Sequence, residues 1–320
     1  MTDNKILVTG SAGFIGYHLC KSLLNDNFDV LGIDNINDYY DVNLKKSRLN
    51  ELRKNKNFIF EKINITNRES LSKLFKEFQP KIVVNLAAQA GVRYSIENPY
   101  AYMDSNLVGF LNIIELCRNN NVKNFIYASS SSVYGANKKS PFSESDRVDI
   151  PISFYGASKK ANELIAYSYS HLYNLKSTGL RFFTVYGPWG RPDMAMFIFT
   201  KRILENRPIE VFNNGKMKRD FTYIDDIIIG IRSAIEKNYD YEIFNLGNNK
   251  SENLMDMISI IEKELGVKAI IEFKPLQPGD VIDTLSDIQH SIEKLNYHPS
   301  ITIKEGIPLF INWYNSYYSK

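Results

Sequence analysis

The segment Gly10-Ser-Ala-Gly13-Phe-Ile-Gly16 does most to limit what this chain can fold into. It stands between a short apolar run, Ile6 to Thr9, and an apolar-periodic stretch, Phe14 to Leu24. A glycine-rich turn leading from a buried strand into a helix opens a dinucleotide-binding βαβ unit. There Gly10 allows the tight turn, Gly13 lets the backbone approach a pyrophosphate, and Gly16 lets the helix pack closely on the strand. Free N–H groups at the helix start then face the phosphates, with Phe14 and Ile15 in its first turn. The spacing is GxxGxxG rather than GxGxxG, and taken alone it fits a plain glycine-rich turn equally well. Its context adds an acid about 20 positions on, Asp34, at the end of the next strand. A carboxylate there accepts both adenosine ribose hydroxyls and repels a 2′-phosphate, which predicts NAD rather than NADP; the alternative is a strand-end carboxylate in solvent. Asn35 and Asn37 add polar groups beside it.

Strand and helix patterns alternate along the first half. Strands are predicted at Ile6 to Thr9, Val30 to Ile33, Phe58 to Ile63, Lys81 to Leu86, Asn124 to Ala128 and Thr178 to Phe183, with helices near 14–24, 43–54, 67–78, 99–120 and 155–173. Ile82-Val-Val and Phe125-Ile-Tyr are apolar without alternation, as a strand covered on both faces requires. The reading is an α/β fold with a Rossmann-type, doubly wound parallel sheet. Asn64-Ile65 and Leu86-Ala87-Ala88 then end strands on the ligand side, where small residues let the backbone approach a cofactor.

After about residue 186 the pattern changes, and Pro188, Gly190 and Pro192 interrupt regular structure. Shorter elements follow: a helix near 194–206, strands at 209–212 and 219–223, a helix from Asp225 to about Lys237, a strand at 241–246, and helices near 253–265, 286–294 and 304–318. The expected division is a Rossmann unit, 1–185 plus about 225–250, and a smaller, discontinuous C-terminal α/β unit for the substrate, 186–224 plus 251–320. Asp225 and Asp226 are expected to cap their helix rather than hold a metal.

Composition removes other classes. A formal charge of +3 over 320 residues, well mixed, argues against nucleic-acid or membrane-surface binding. No apolar run approaches the ~20 residues of a membrane span, and no signal peptide precedes the first strand. Cys20 and Cys117 fall in apolar helical patterns and are expected as buried free thiols, consistent with a cytoplasmic protein. His18, His171, His290 and His298 show no ligand spacing, so no metal is expected.

The chemistry is expected at Tyr155-Gly-Ala-Ser-Lys159. A tyrosine and a lysine four apart share a helical face, and an ammonium beside a phenol favours the phenolate, a general base. Just upstream, Ala128-Ser-Ser-Ser-Ser-Val-Tyr134-Gly ends a strand at the crevice rim, with four hydroxyls available to a sugar or to their own backbone.

Together these features resemble the extended short-chain dehydrogenase/reductase superfamily, over nearly the whole chain. Leu86-Ala-Ala-Gln-Ala-Gly-Val-Arg-Tyr-Ser95, Tyr186-Gly-Pro-Trp-Gly-Arg-Pro-Asp-Met194 and Arg219-Asp-Phe-Thr-Tyr-Ile-Asp225 narrow the resemblance to the NAD-dependent epimerase/dehydratase family, nearest its UDP-glucuronate 4-epimerases. The resemblance implies that Tyr155, as phenolate, takes the proton from the sugar O4, that Lys159 lowers its pKa and holds the nicotinamide ribose, and that Ser130 bonds the same oxygen. It implies hydride transfer from C4 to a tightly held NAD, rotation of a 4-keto sugar, and return of the hydride to the other face. It adds Gln89, Asn106, Ser129, Phe182 and Val185 to the cofactor contacts, with Asn64 in place of a more usual Asp. A UDP-sugar is the implied substrate. Ser131, Ser132, Thr184 and Arg191 are assigned to the uronate carboxylate, Arg219 to the pyrophosphate, Phe212 to the uracil and Asp280 to the uridine ribose. Arg93 is a further candidate, and Gln277 stands where related epimerases carry an arginine. Structural alternatives remain open: Arg219 can pair with Asp220 or a surface acid, Phe212 can be core, Asp280 can cap a turn and Arg93 can form a surface ion pair. Ser131 and Ser132 replace the acids that dehydratases and decarboxylases of the superfamily carry after the catalytic hydroxyl. Thr284 is small enough to leave N-acetylated sugars possible. The alternatives are a 4-epimerase of UDP-glucose, UDP-N-acetylglucosamine or its uronate, and a non-catalytic NAD-sensing protein on the same fold. A homodimer is expected through the helices near 99–120 and 155–173.

Overall fold

The computed structural model describes residues 4–277 and 279–318. Among them run twelve strands: β1 (Lys5–Thr9), β2 (Asp29–Asp34), β3 (Phe58–Lys62), β4 (Ile82–Asn85), β5 (Asn124–Ser130), β6 (Ser177–Phe182), β7 (Thr184–Tyr186), β8 (Ile209–Val211), β9 (Lys218–Tyr223), β10 (Tyr241–Leu246), β11 (Ser251–Asn253) and β12 (Ile271–Phe273). Seven make one parallel sheet in the order β10-β6-β5-β4-β1-β2-β3. This is the doubly wound α/β arrangement read from the alternating pattern.

Both faces of the sheet are covered. Ile6 and Val8 of β1 enter one core with Val84, Ile126 and Leu180, while Leu7 between them enters the other with Val83, Phe125 and Tyr127. These side chains have no exposed surface, and burying each contributes ~1.5–3 kcal/mol. The winding reverses between β1 and β4, and there the glycine turn meets the end of β4. The Thr9 hydroxyl donates to Asn85 Oδ1 at 2.7 Å and accepts from Ala87 N at 2.9 Å. Gly10 has φ +71°, and a Cβ on it would stand 2.9 Å from Ala87 N. Such a switch point, at the carboxyl ends of the strands, is where ligands enter open α/β sheets.

The helix expected over 99–120 is three pieces: Pro99–Tyr102, a π-helical stretch Met103–Val108, and Gly109–Asn119. The wide stretch presents Asn106 inward, 1% exposed, where its amide accepts from Gln89 N at 2.8 Å and donates to Gln89 O and Ser158 Oγ at 3.0 Å. Single π turns of this kind accompany functional sites.

The second half forms two small sheets, β11-β9-β7 and β12-β8. The strand expected to reach Phe212 stops at Val211, and Phe212 begins a short turn with Asn213 and Asn214 at positive φ. Helices Leu254–Leu265, Gln289–Leu295 and Ile303–Tyr318 complete the chain. Asp225 and Asp226 do not cap their helix. The cap is Tyr223, and the two acids lie in the first turn of Ile224–Lys237. Asp226 instead accepts from Ser300 N and Ile301 N, both at 3.1 Å, so it pins the approach to the last helix. Cys20 and Cys117 are free and buried. No helix among the described residues is long and apolar enough to cross a membrane.

Candidate active site

One cavity of about 920 Å³ runs from the glycine turn, past the ends of β4 and β5, to the turn at Phe212. Its near end is made by Gly10, Gly13, Phe14, Ile15 and Gly16, with Asp34, Asn35, Asn37, Asn64 and Ile65 beyond. A Cβ on Gly16 would fall 2.1 Å from Gly10 O, so only glycine lets the helix start sit on the turn. Asp34 Oδ2 accepts from Ala12 N at 3.1 Å and Oδ1 from Ile36 N at 2.8 Å. Burial raises its pKa, and those two N–H groups with Lys45 and Arg48 pull it back. The asparagines serve their own loops as well: Asn35 Oδ1 accepts from Asn37 N at 3.1 Å, and Asn64 Oδ1 from Thr66 N at 3.1 Å. Lys45 Nζ donates to Asn37 Oδ1 at 2.6 Å. A glycine cradle, small Ala87 and Ala88, and a half-buried strand-end carboxylate fit a dinucleotide.

The middle of the cavity carries Tyr155, Lys159 and the serines. Ser153 caps the helix Phe154–Tyr173 by accepting from Gly156 N at 3.0 Å. Gly156 rests on the serine run at Ser132, and Tyr155 lines the same cavity as Ser130. Burial raises the Tyr155 pKa; the nearby Ser130 hydroxyl and the Arg191 charge lower it. Lys159 was expected to be the acidifying charge. Its Nζ donates to Ala128 O at 2.9 Å and lies 6.0 Å from the Tyr155 ring centre. Burial brings its own pKa down to about 8. Arg191 adds a positive charge that lowers the tyrosine.

The four hydroxyls do not all face the cavity. Ser129 Oγ donates to Glu163 Oε1 at 2.7 Å, deep behind the strand, where Arg181 also meets Glu163 at 2.8 and 2.9 Å. Ser130 Oγ donates to Ser132 Oγ at 3.2 Å, and Ser131, Ser132 and Thr184 line the wall with Phe182 and Val185. Arg191 donates from Nε to Asp193 Oδ1 at 3.0 Å and from Nη2 to Asp193 Oδ2. The Tyr39 hydroxyl reaches the same carboxylate at 3.3 Å. Burial works against the Arg191 charge, and Asp193 overrides it, so the guanidinium stays protonated.

At the far end, Arg93 Nη2 pairs with Asp280 at 3.0 Å, and its guanidinium carbon lies 4.4 Å over the Phe212 ring. Asp280 is therefore an ion-pair partner, and one face of Phe212 carries Arg93. Arg219 does not pair with Asp220. Its Nη1 donates to Lys218 O at 2.8 Å and Ile282 O at 3.0 Å, whereas Asp220 is fully buried and holds Ser286 and Asn248. Thr284 Oγ1 accepts from Asp220 N at 3.1 Å on the same wall.

Two expected contacts stand off the cavity lining. Asn106 lies behind Gln89 and orients it, and Gln277 lies outside, its carbonyl accepting from Asp280 N at 3.2 Å. Sequence reasoning missed Tyr39, Tyr94, Tyr102 and Asp193. Their rings run in a chain to the base: Tyr39–Tyr94 at 4.9 Å, Tyr94–Tyr102 at 6.2 Å and Tyr102–Tyr155 at 6.0 Å between centroids. The one available signal was the Arg191-x-Asp193 spacing. Among the described residues no group of three or more His, Cys, Asp or Glu residues is placed to hold a metal.

A crevice at the switch point with a tyrosine, a lysine and serines at its middle defines a nucleotide-dependent enzyme of the short-chain dehydrogenase type. Residues 6–247 match the model of the NAD-dependent epimerase/dehydratase family, and the chain belongs to it. It is 51% identical to Protein CapI of Staphylococcus aureus, over 99% of this chain and all of that one. It is 47% identical to a UDP-glucuronate 4-epimerase of Thermodesulfobacterium geofontis, over 96% of this chain and 95% of that one. The crystal structure of UDP-glucuronic acid 4-epimerase from Bacillus cereus, in complex with UDP-glucuronic acid and NAD, superposes with a TM-score of 0.93 at 37% identity, covering 98% of this chain and 100% of that one.

Proposed function

We propose that this protein is a UDP-glucuronate 4-epimerase that interconverts UDP-glucuronate and UDP-galacturonate through a transient 4-keto sugar. The observation that carries this reading is the convergence of Tyr155, Lys159, Ser130 and the protonated Arg191 on one cavity whose wall offers hydroxyls from Ser131, Ser132 and Thr184. The full-length similarity to a UDP-glucuronate 4-epimerase supports it.

In this reading Gly10, Gly13, Gly16 and Asp34 hold the dinucleotide, and Lys159 and Gln89 meet its nicotinamide end. When bound, NAD supplies a hydride acceptor that later gives the hydride back. Tyr155 Oη takes the proton from the sugar O4 and returns it after the ring has turned. Ser130 keeps a hydrogen bond on the same oxygen, and Arg191 favours the phenolate. The uronate carboxylate sits among Ser131, Ser132, Thr184 and Arg191. A 4-keto uronate is a β-keto acid, and a site that grips the carboxylate through these hydroxyls and the Arg191 guanidinium holds it away from the orientation that loses CO₂. Arg219, Arg93, Phe212 and Asp280 take the uridine diphosphate.

Incubation with a panel of UDP-sugars, with separation of products, tests this. UDP-galacturonate should form from UDP-glucuronate without UDP-xylose or a 4-keto pentose. Faster turnover of UDP-glucose or UDP-N-acetylglucosamine would move the assignment to a sister epimerase. The same reading makes the protein a cytoplasmic homodimer. Tyr100, Met103, Leu111, Leu164, Tyr167 and Leu172 are exposed on the two helices that would pair. Light scattering on the purified chain reads the mass directly.

A further inference from the structure

Arg48 is a fully buried cation whose hydrogen-bond partners are all neutral. Its Nη1 donates to Ala12 O, inside the glycine turn, and to the Tyr40 hydroxyl, both at 2.8 Å. Its Nη2 donates to Trp189 O at 2.6 Å and Gly190 O at 3.1 Å. Three carbonyls and a phenol take the guanidinium, and its Nε has no partner. Burying a charge without an acid on it costs several kcal/mol. Nearby, Lys45 is also buried and lines the cavity, while Asp34 is the acid that feels both cations. Arg48 thus stands behind the phosphate end of the cavity as a positive charge with no carboxylate bonded to it, which a pyrophosphate would answer.

The same side chain spans three segments remote in sequence. It holds the turn at residue 12, the loop after β2 at residue 40, and the carbonyls directly before Arg191. We propose that Arg48 is a positioning residue that supplies the counter-charge to the cofactor pyrophosphate from behind the glycine turn and ties that binding to the loop carrying Arg191. It touches neither cofactor nor substrate, and the proposal holds whichever UDP-sugar the enzyme turns over.

The test is calorimetry on the full chain freed of nucleotide, with ADP-ribose and adenosine as probes, for the parent, Arg48→Met and Arg48→Lys. The methionine should weaken ADP-ribose about 10- to 100-fold and leave adenosine within about threefold, because only the first ligand carries the charge that Arg48 answers. The lysine, which keeps the charge, should restore most of the ADP-ribose affinity. Amide exchange at Trp189 and Gly190 should slow on ADP-ribose binding in the parent and not in the methionine variant. Equal losses for both ligands, or none, would overturn the counter-charge. If the methionine variant does not fold, a lysine variant as weak for ADP-ribose as for adenosine overturns it too. Exchange at residues 189–190 that ignores ADP-ribose in the parent would remove the link to the loop.

Discussion

Gly156 lies directly on Ser132: a Cβ built on the glycine would come within 2.5 Å of the Ser132 carbonyl oxygen. This contact sets the height of the catalytic helix above the serine run. Gly156→Ala should therefore lift the helix start, move the Tyr155 hydroxyl away from the serine run and lower kcat more than it raises KM. The stability cost should be about 1–3 kcal/mol, typical of overpacking. Steady-state kinetics beside a denaturant melt checks both, and an unchanged kcat would mean that the backbone contact does not aim the tyrosine.

Tyr155→Phe removes the proton-carrying oxygen and keeps the ring against Tyr102, 6.0 Å away. Turnover should fall by about 10²–10⁴. Bound NAD, assayed after denaturation, should remain at the parent level, which separates the chemistry from cofactor binding.

Arg191→Ala should cost activity on UDP-glucuronate much more than on UDP-glucose, because only the first brings a carboxylate. It also removes a charge that lowers the Tyr155 pKa. The phenolate is the active form, so activity is lost as pH falls through that pKa. Without Arg191 the acidic limb of the kcat/KM profile should move to higher pH. Equal losses on both sugars would remove the carboxylate assignment, and an unmoved limb would remove the electrostatic one.

His18 gives a pH dependence of stability. Its Nε2 lies 2.9 Å from Pro188 O, and burial lowers its pKa to about 4 from the ordinary 6.5. The folded state disfavours the charged ring, so its contribution is intact above pH 6.5 and is lost as pH falls toward 4. Because the ring keeps some exposed surface, the loss should be on the order of 1–2 kcal/mol rather than the full shift. Thermal melts across that window should show a shallower acid decline in His18→Gln, which has no ionisable ring.

Much of the parallel sheet was legible because its strands are long enough to show unbroken apolar runs and its turns carry glycine. Asp34 and the glycine turn follow from local spacing. β7, β11 and β12 span three residues each, too few for a period to register, and unlike the equally short β8 they were not read from the sequence. The π-helical stretch was invisible because its composition is that of an ordinary helix. Its wide turn places Gly109 against Ile65, where a Cβ would stand 2.4 Å from the isoleucine methyl. At the site, local motifs found Tyr155, Lys159 and Ser130. The pairing of Tyr39 with Asp193, 154 positions apart, could not be read from either neighbourhood. The second positive charge acting on Tyr155 was missed for the same reason: Lys159 lies four residues away, while Arg191 arrives from a different loop.

Glu163 sits one helical turn past Lys159, and Arg181 of β6 grips both of its oxygens. A helix clasped in this way cannot roll about its own axis without tearing apart a desolvated ion pair. The aim of the phenol is thus fixed by a fastening on the dry side of the helix, out of reach of any sugar. Catalytic alignment and core integrity are therefore one property here, and substitutions that loosen the interior should blunt turnover before they unfold the chain.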